Sequence, residues 1–171
     1  MIHINFNTSM FDQSHLLHIS LTRSKLIFQF LALTTALNLG WELLQLPLYT
    51  LWNESTSSTI AFAVVHCTVG DVLIAALSLT VALILVGSRQ WPQVGYMTVA
   101  LVAGILGIAY TVFSEWNNTV LTRAWSYSSL MPTVLGIGLS PLAQWFIVPG
   151  VVFWCLKPKS TCTPVQPTLN A

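Results

Sequence analysis

Charge is what this sequence has least of. Asp, Glu, Lys and Arg make up only 6% of its 171 residues, whereas a soluble domain carries roughly a quarter. A free-standing soluble domain is therefore excluded. Cysteine is also sparse. Cys67 lies inside an apolar run and Cys155 and Cys162 lie near the C-terminus, with no CxxC pair, which removes a disulfide scaffold and the common zinc and redox motifs. No Gly-rich phosphate loop, HExxH or nucleophile motif occurs, so the familiar signatures of hydrolases and nucleotide enzymes are missing. The opening MIHINFNTSMFDQSHLLHISL holds no basic n-region and no A-x-A-like cleavage site follows the first apolar run; that run is read as retained. With a net charge of +1, no nucleic-acid partner is expected.

What is abundant is apolar sequence, 54% of the chain, gathered in four runs at residues 25–52, 59–86, 95–114 and 131–156. Each is long enough to cross a bilayer core as a helix. The breaks NESTSS, GSRQWPQ and EWNNTVLTRAWSYSS read as turns and loops. The expected fold is all-α, a four-helix transmembrane bundle with short loops.

Basic residues orient it. Arg23, Lys25, Arg89, Lys157 and Lys159 fall on one side of the spans and only Arg123 on the other, so both termini are expected in the cytoplasm and the bundle in the cytoplasmic (inner) membrane. Trp52, Trp116 and Trp125 then mark the outer interface, and Trp91 and Trp154 the inner one. Residues 1–24 read as a cytoplasmic N-terminal tail, in which His15 and His18 stand one helical turn apart, and residues 157–171, rich in Pro and Thr, as a disordered cytoplasmic tail.

Polar residues inside the spans carry the functional signal. Asn38, Glu42, Gln45 and Tyr49 recur at spacings of four, three and four, a single stripe on an apolar helix. An uncompensated acid at membrane depth costs on the order of 3 kcal/mol, so the stripe must face other helices or a wet cavity. Pro47 leaves the Leu43 carbonyl without its helical donor and is expected to bend the helix near Glu42. The second span brings His66, Thr68, Gly70 and Asp71. Counted from the outer end at 1.5 Å per residue, His66 lies roughly 10 Å deep and Glu42 about 15 Å, so an imidazole and two acids overlap in depth. Asp71 is about 140° around the helix from His66, however, and can point to a different neighbour. The third span ends with Tyr110, Ser114, Glu115 and Asn118, and the fourth begins above Gln144 with Gly136, Gly138 and Pro141, which break regular helix and expose backbone groups that need protein or water partners. The inner halves, LTVALILV and TVALVAGILG, are plain. That asymmetry places a polar, acid-lined pocket in the outer half.

The motifs W-E-x-x-Q-x-P-x-Y (Trp41 to Tyr49), H-C-T-x-G-D (His66 to Asp71), E-W-x-N (Glu115 to Asn118), W-x-Y-x-x-x-M-P (Trp125 to Pro132) and G-x-G-L-x-P-x-x-Q (Gly136 to Gln144) resemble those of a family of small bacterial four-span membrane proteins. The resemblance covers most of residues 41–144. It implies a four-span fold and transfers no mechanism. ELLQLP and GDVL are also similar to short stretches of sterol-isomerase and emopamil-binding proteins, too short to imply an activity.

Three function classes can use such a pocket. It can bind or act on a small or lipid-like molecule, with Glu42, Asp71 and His66 as catalytic acids and base and Asn38, Gln45, Tyr49, Tyr110, Glu115, Asn118 and Gln144 lining it. It can handle a proton or a metal, His66, Glu42 and Asp71 being the metal ligands available. Or the chain is a non-catalytic subunit or assembly factor, packing through Ala100 with Gly104 and Ala103 with Gly107 against a membrane-protein partner or a second copy. Whether the chain is an enzyme, and whether it holds a cofactor, does not follow from these residues.

Overall fold

A computed structural model describes residues 6–158, with side chains from residue 20 onward. Helix α1 runs over Phe6–Gln45 and a single 3-10 turn over Leu46–Leu48; α2 is the short Leu51–Glu54, α3 spans Ser57–Val86 and α4 Tyr96–Trp116. A π-helical turn, Asn117–Leu121, closes α4, a two-residue-stranded hairpin follows (β1 Thr133–Val134, β2 Ile137–Gly138), and α5 occupies Leu139–Cys155. Helix α1 is thus continuous through residues 6–24; the segment beyond residue 158 lies outside the described residues.

Three stretches, Ser20–Leu48, Ser57–Val86 and Tyr96–Leu121, are long and apolar enough to cross a membrane. The fourth run, expected as a span over 131–156 with a break in regular helix at Gly136, Gly138 and Pro141, is helical only over the 17 residues Leu139–Cys155, roughly 25 Å of rise. The reason lies in its first residues. Leu135 and Gly136 both take positive φ, 53° and 81°, which makes a two-residue turn of the kind that closes hairpins. It brings Val134 opposite Ile137, and Pro132 cannot donate to a helix that began there.

The first span departs from a continuous helix over 25–52 for a related reason. Pro47 stands in the 3-10 turn, and Tyr49 after it is extended, φ −116° and ψ 147°, so the stripe Asn38–Glu42–Gln45 ends one residue type short of Tyr49. Helix α3 begins cleanly because Thr56 caps it, its hydroxyl accepting from the Thr59 amide at 3.3 Å.

Helix α3 packs against both α1 and α4, and α5 packs against both α4 and α1. Ala82, Val99 and Val152 meet in the centre with no exposure, beside Leu79, Ala103 and Val148. Small residues set the approach of α4 and α5. A Cβ on Gly107 would overlap the Trp145 indole, so Ala103 and Gly107, read from the sequence as a face for another protein, are taken up by this chain's own α5.

One end of the structure is held by Arg23. Its Nε donates to the Trp91 carbonyl at 3.0 Å and its Nη2 to the Ser88 carbonyl at 2.9 Å, with the guanidinium 6.0 Å from the Trp91 ring centre. Trp91 is fully buried and stacks on Tyr96, whose hydroxyl donates to the Phe153 carbonyl at 2.8 Å. Trp91 is therefore a core residue and not the interfacial anchor that its position suggested. Trp154, 77% exposed, keeps the anchor's exposure.

The packing generates a paired test. Gly107→Ala forces the indole of Trp145 to move and is expected to destabilise by about 1–3 kcal/mol. Gly104→Ala, one turn away with open space at its Cβ, should be neutral or stabilising by roughly 0.5–1 kcal/mol. Thermal melts in detergent read both signs.

Candidate functional site

The side-chain amide of Gln144 lies at the centre of the polar residues. Gln144 sits on the second turn of α5 and is 2% exposed. Its Nε2 donates to Asn38 Oδ1 at 3.0 Å, Glu42 Oε1 at 3.3 Å and Asp71 Oδ2 at 2.8 Å. Asn38 and Glu42 come from one face of α1 and Asp71 from α3, so one amide ties three helices. Gln45, one turn after Glu42, donates to the same Glu42 oxygen at 2.8 Å and accepts from Ser140 Oγ at 2.8 Å. The Trp41 indole donates to that Ser140 oxygen at 3.2 Å.

An amide nitrogen carries two hydrogens, yet this one faces three acceptors. The Glu42 and Asp71 carboxyls also touch each other, and Asp71 abuts the Trp145 indole. No Lys or Arg among the described residues acts on either carboxyl. Two ionised carboxylates this close, away from water, would repel strongly. A proton, a cation or a ligand rich in hydrogen-bond donors is what the arrangement accepts. A void of about 10 Å³ lies beside Asn38, bordered by Phe30, Thr34 and Trp145, near the lower limit for one water.

A second polar cluster stands at the end of α4. Glu115 is buried on the last turn, and the Tyr127 hydroxyl donates to its carboxyl. That hydroxyl in turn accepts from the Gly138 amide at 2.9 Å. Burial first, and then the bond to Glu115, push the Tyr127 hydroxyl well above the ordinary tyrosine range, so it stays a neutral donor. A Cβ on Gly138 would press on the Tyr127 ring at 3.0 Å. The segment around Tyr127 is sewn to the end of α1: Thr50 N donates to the Ser126 carbonyl at 3.1 Å, Ser128 N to the Leu48 carbonyl at 2.9 Å and Ser128 Oγ to the Pro47 carbonyl at 2.9 Å. Tyr49 and Tyr127 pair across this seam with ring centres 5.6 Å apart. Tyr49 lies in the field of both Glu42 and Glu115, so the two clusters are neighbours.

Asn38, Glu42, Gln45, Asp71 and Gln144 are thus brought together, with Tyr49 and Glu115 beside them. His66 is not. It is exposed on α3 and stacks on Phe62, ring centres 5.6 Å apart. The cause is the helical angle: with Asp71 turned inward, a residue five positions earlier lies about 140° away. The acid, imidazole and acid set is therefore not assembled for catalysis or for a metal, and no group of three or more His, Cys, Asp or Glu among the described residues is placed to hold one. Tyr110 is 50% exposed and packs edge-on to Phe113. Asn118 spends its amide on Ser114 of its own turn, at 2.8 Å to the carbonyl and 3.2 Å to the hydroxyl. Residues that the sequence pattern passed over are Ser140, one turn before Gln144, the Trp41 and Trp145 indoles, Tyr127, and Cys67, half-buried in the field of all three acids. For Ser140 the four-residue spacing to Gln144 was the available signal.

Fold and site define a helical protein with three membrane-length apolar helices and an interior polar junction of two carboxyls and three amides. No family model, curated protein sequence or solved structure matches the chain.

Gln144→Leu removes the shared donor, leaving the Asn38 and Asp71 oxygens without it and Glu42 with the bond from Gln45 alone. The expected loss is about 2 kcal/mol or more, seen as a lowered melting temperature, while His66→Ala should leave the melt unchanged. Equal effects of the two would show that Gln144 is not the junction.

Proposed function

We propose that the chain is an integral protein of the cytoplasmic membrane, a four-span bundle with both termini inside, and that its outer half binds or acts on a small or lipid-like molecule at the Glu42–Asp71 pair. Helix α5 serves as the fourth span in this reading. Its packing against both α1 and α4 supports that role, as does the hairpin before it, which meets its backbone needs by internal pairing and by the Pro132 carbonyl accepting from Leu139 N at 2.8 Å. The orientation rests on Arg23, Lys25, Arg89 and Lys157 against Arg123. The chain is then a member of the bacterial four-span family whose motifs it resembles.

The observation that carries the site is the meeting of two carboxyls on one over-subscribed amide without a cation. A ligand that brings donors or positive charge relieves that deficit, and Glu42 and Asp71 are then the groups able to exchange a proton with it. Asn38, Gln45 and Gln144 orient the carboxyls, and Glu115 with Tyr127 stands at the loop-covered side. The contact between the carboxyls favours one second reading, in which the pair itself takes up and releases a proton.

The test is mass spectrometry of small molecules retained by protein purified in mild detergent. The native chain and His66→Ala are expected to keep a common ligand that Glu42→Gln and Asp71→Asn lose while still melting cooperatively. A native chain empty of ligand defeats the binding reading; a protonated-carboxyl infrared band absent only from Asp71→Asn would then support the proton reading. Topology is checked separately: Glu54→Cys and Arg123→Cys should react with an impermeant thiol reagent in intact cells, and Arg89→Cys only after permeabilisation.

A further inference from the structure

A groove of about 410 Å³ runs between α4 and α5 on the outside of the helices. Its floor is made of small residues: Ala100 and Gly104 from α4 and Gly150 from α5, with open space where a Cβ on either glycine would stand. Its rims are large and exposed: Leu101 65%, Ile105 57% and Phe146 68%. At the end nearest the α5 C-terminus stand the exposed Trp154 and Lys157.

Small floor and tall rims decide what fits. A neighbouring helix, about 10 Å across with its side chains, would be held off the floor by Leu101, Ile105 and Phe146. A single hydrocarbon chain is narrow enough to lie between them. The groove's elongated apolar lining suits a linear apolar occupant. Lys157 supplies one positive charge where that occupant would leave the groove, and Trp154 a ring of the kind found at headgroup level.

We propose that this groove is a binding site for an anionic phospholipid, one acyl chain lying over Gly104 and Gly150 and the headgroup phosphate paired with Lys157. The site is separate from the Glu42–Asp71 pair and rests only on the reading that α4 and α5 are in the membrane. The lysine contributes both charge and position: an ammonium at a membrane surface attracts anionic headgroups, and its apolar stem can follow the groove wall while the charge reaches the phosphate.

The experiment is native mass spectrometry of the full chain extracted from membranes, titrated with phosphatidylglycerol or phosphatidylcholine of identical acyl chains. The native chain is expected to retain phosphatidylglycerol preferentially. Lys157→Gln should lower that retention about fivefold, the order expected for one basic residue near a membrane surface, and leave phosphatidylcholine unchanged. Gly104→Leu, and independently Gly150→Leu, should abolish retention of both lipids with no fall in melting temperature. Equal retention of the two lipids by the native chain, or full retention by the leucine variants, overturns the site. A native dimer that Gly104→Leu converts to monomer also overturns it and assigns the groove to a second copy. Any of these results in a protein that fractionates with membranes overturns the lipid site alone; a chain absent from the membrane fraction overturns the membrane reading with it.

Discussion

The hydrogen bonds of the Gln144 amide hold α1, α3 and α5 in one register. In water such bonds exchange with solvent and contribute little, but among apolar helices an unmade bond leaves a polar atom with nothing else to contact. Sliding α5 by one residue would carry Gln144 about 100° around its axis and separate it from Asn38, Glu42 and Asp71 together. The apolar core around Val99, Val152 and Ala82 tolerates several near-equivalent packings; the polar junction does not. Specific register therefore comes from a few polar atoms, and bulk burial from the many apolar ones.

The same scarcity of solvent partners explains both ends of the structure. Beyond the end of α3, Arg23 reaches across from α1 and gives its donors to the Ser88 and Trp91 carbonyls of the loop that follows. Where α1 gives way to the 3-10 turn holding Pro47, the segment around Ser126 to Ser128 bonds the Pro47 and Leu48 carbonyls and the Thr50 amide and brings Tyr127 onto Glu115. Non-helical backbone next to apolar surroundings is thus paired by the chain itself. The consequence for the site is enclosure: the acids lie beneath a loop tied down by backbone bonds, so a molecule that reaches them must pass beside Tyr49, Tyr127 and Glu115 or between helices.

The acids and the α4/α5 groove share one residue, Trp145. Its ring presses on Gly107 and lines the groove, and its indole abuts Asp71. One aromatic side chain thus separates an apolar outer surface from a polar interior. This economy follows from the glycine opposite it, since any side chain at position 107 would take the space that the indole fills.

Much was legible without coordinates. Scarce charge and long apolar runs required membrane-length helices, because an 18-residue apolar stretch has few other uses; α3 and α4 lie close to where the pattern put them. The stripe Asn38, Glu42 and Gln45 was readable because helical periodicity puts such spacings on one face, and Gln144 because an isolated amide in an apolar run needs a partner. What periodicity cannot supply is rotation: it relates residues on one helix and says nothing of which face meets a neighbour. Hence His66 and Asp71, equally polar and close in sequence, divide between outer surface and interior, and Trp91, placed like an anchor, is buried by Arg23 and Tyr96. The hairpin at Val134 to Ile137 was legible only as a break in the helix at Gly136, Gly138 and Pro141, since positive φ at Leu135 leaves no mark in its own residue type. Local sequence determined which segments are helical and which residues are polar at depth; only the packing of α5 between α1 and α4 decided which of those polar groups meet.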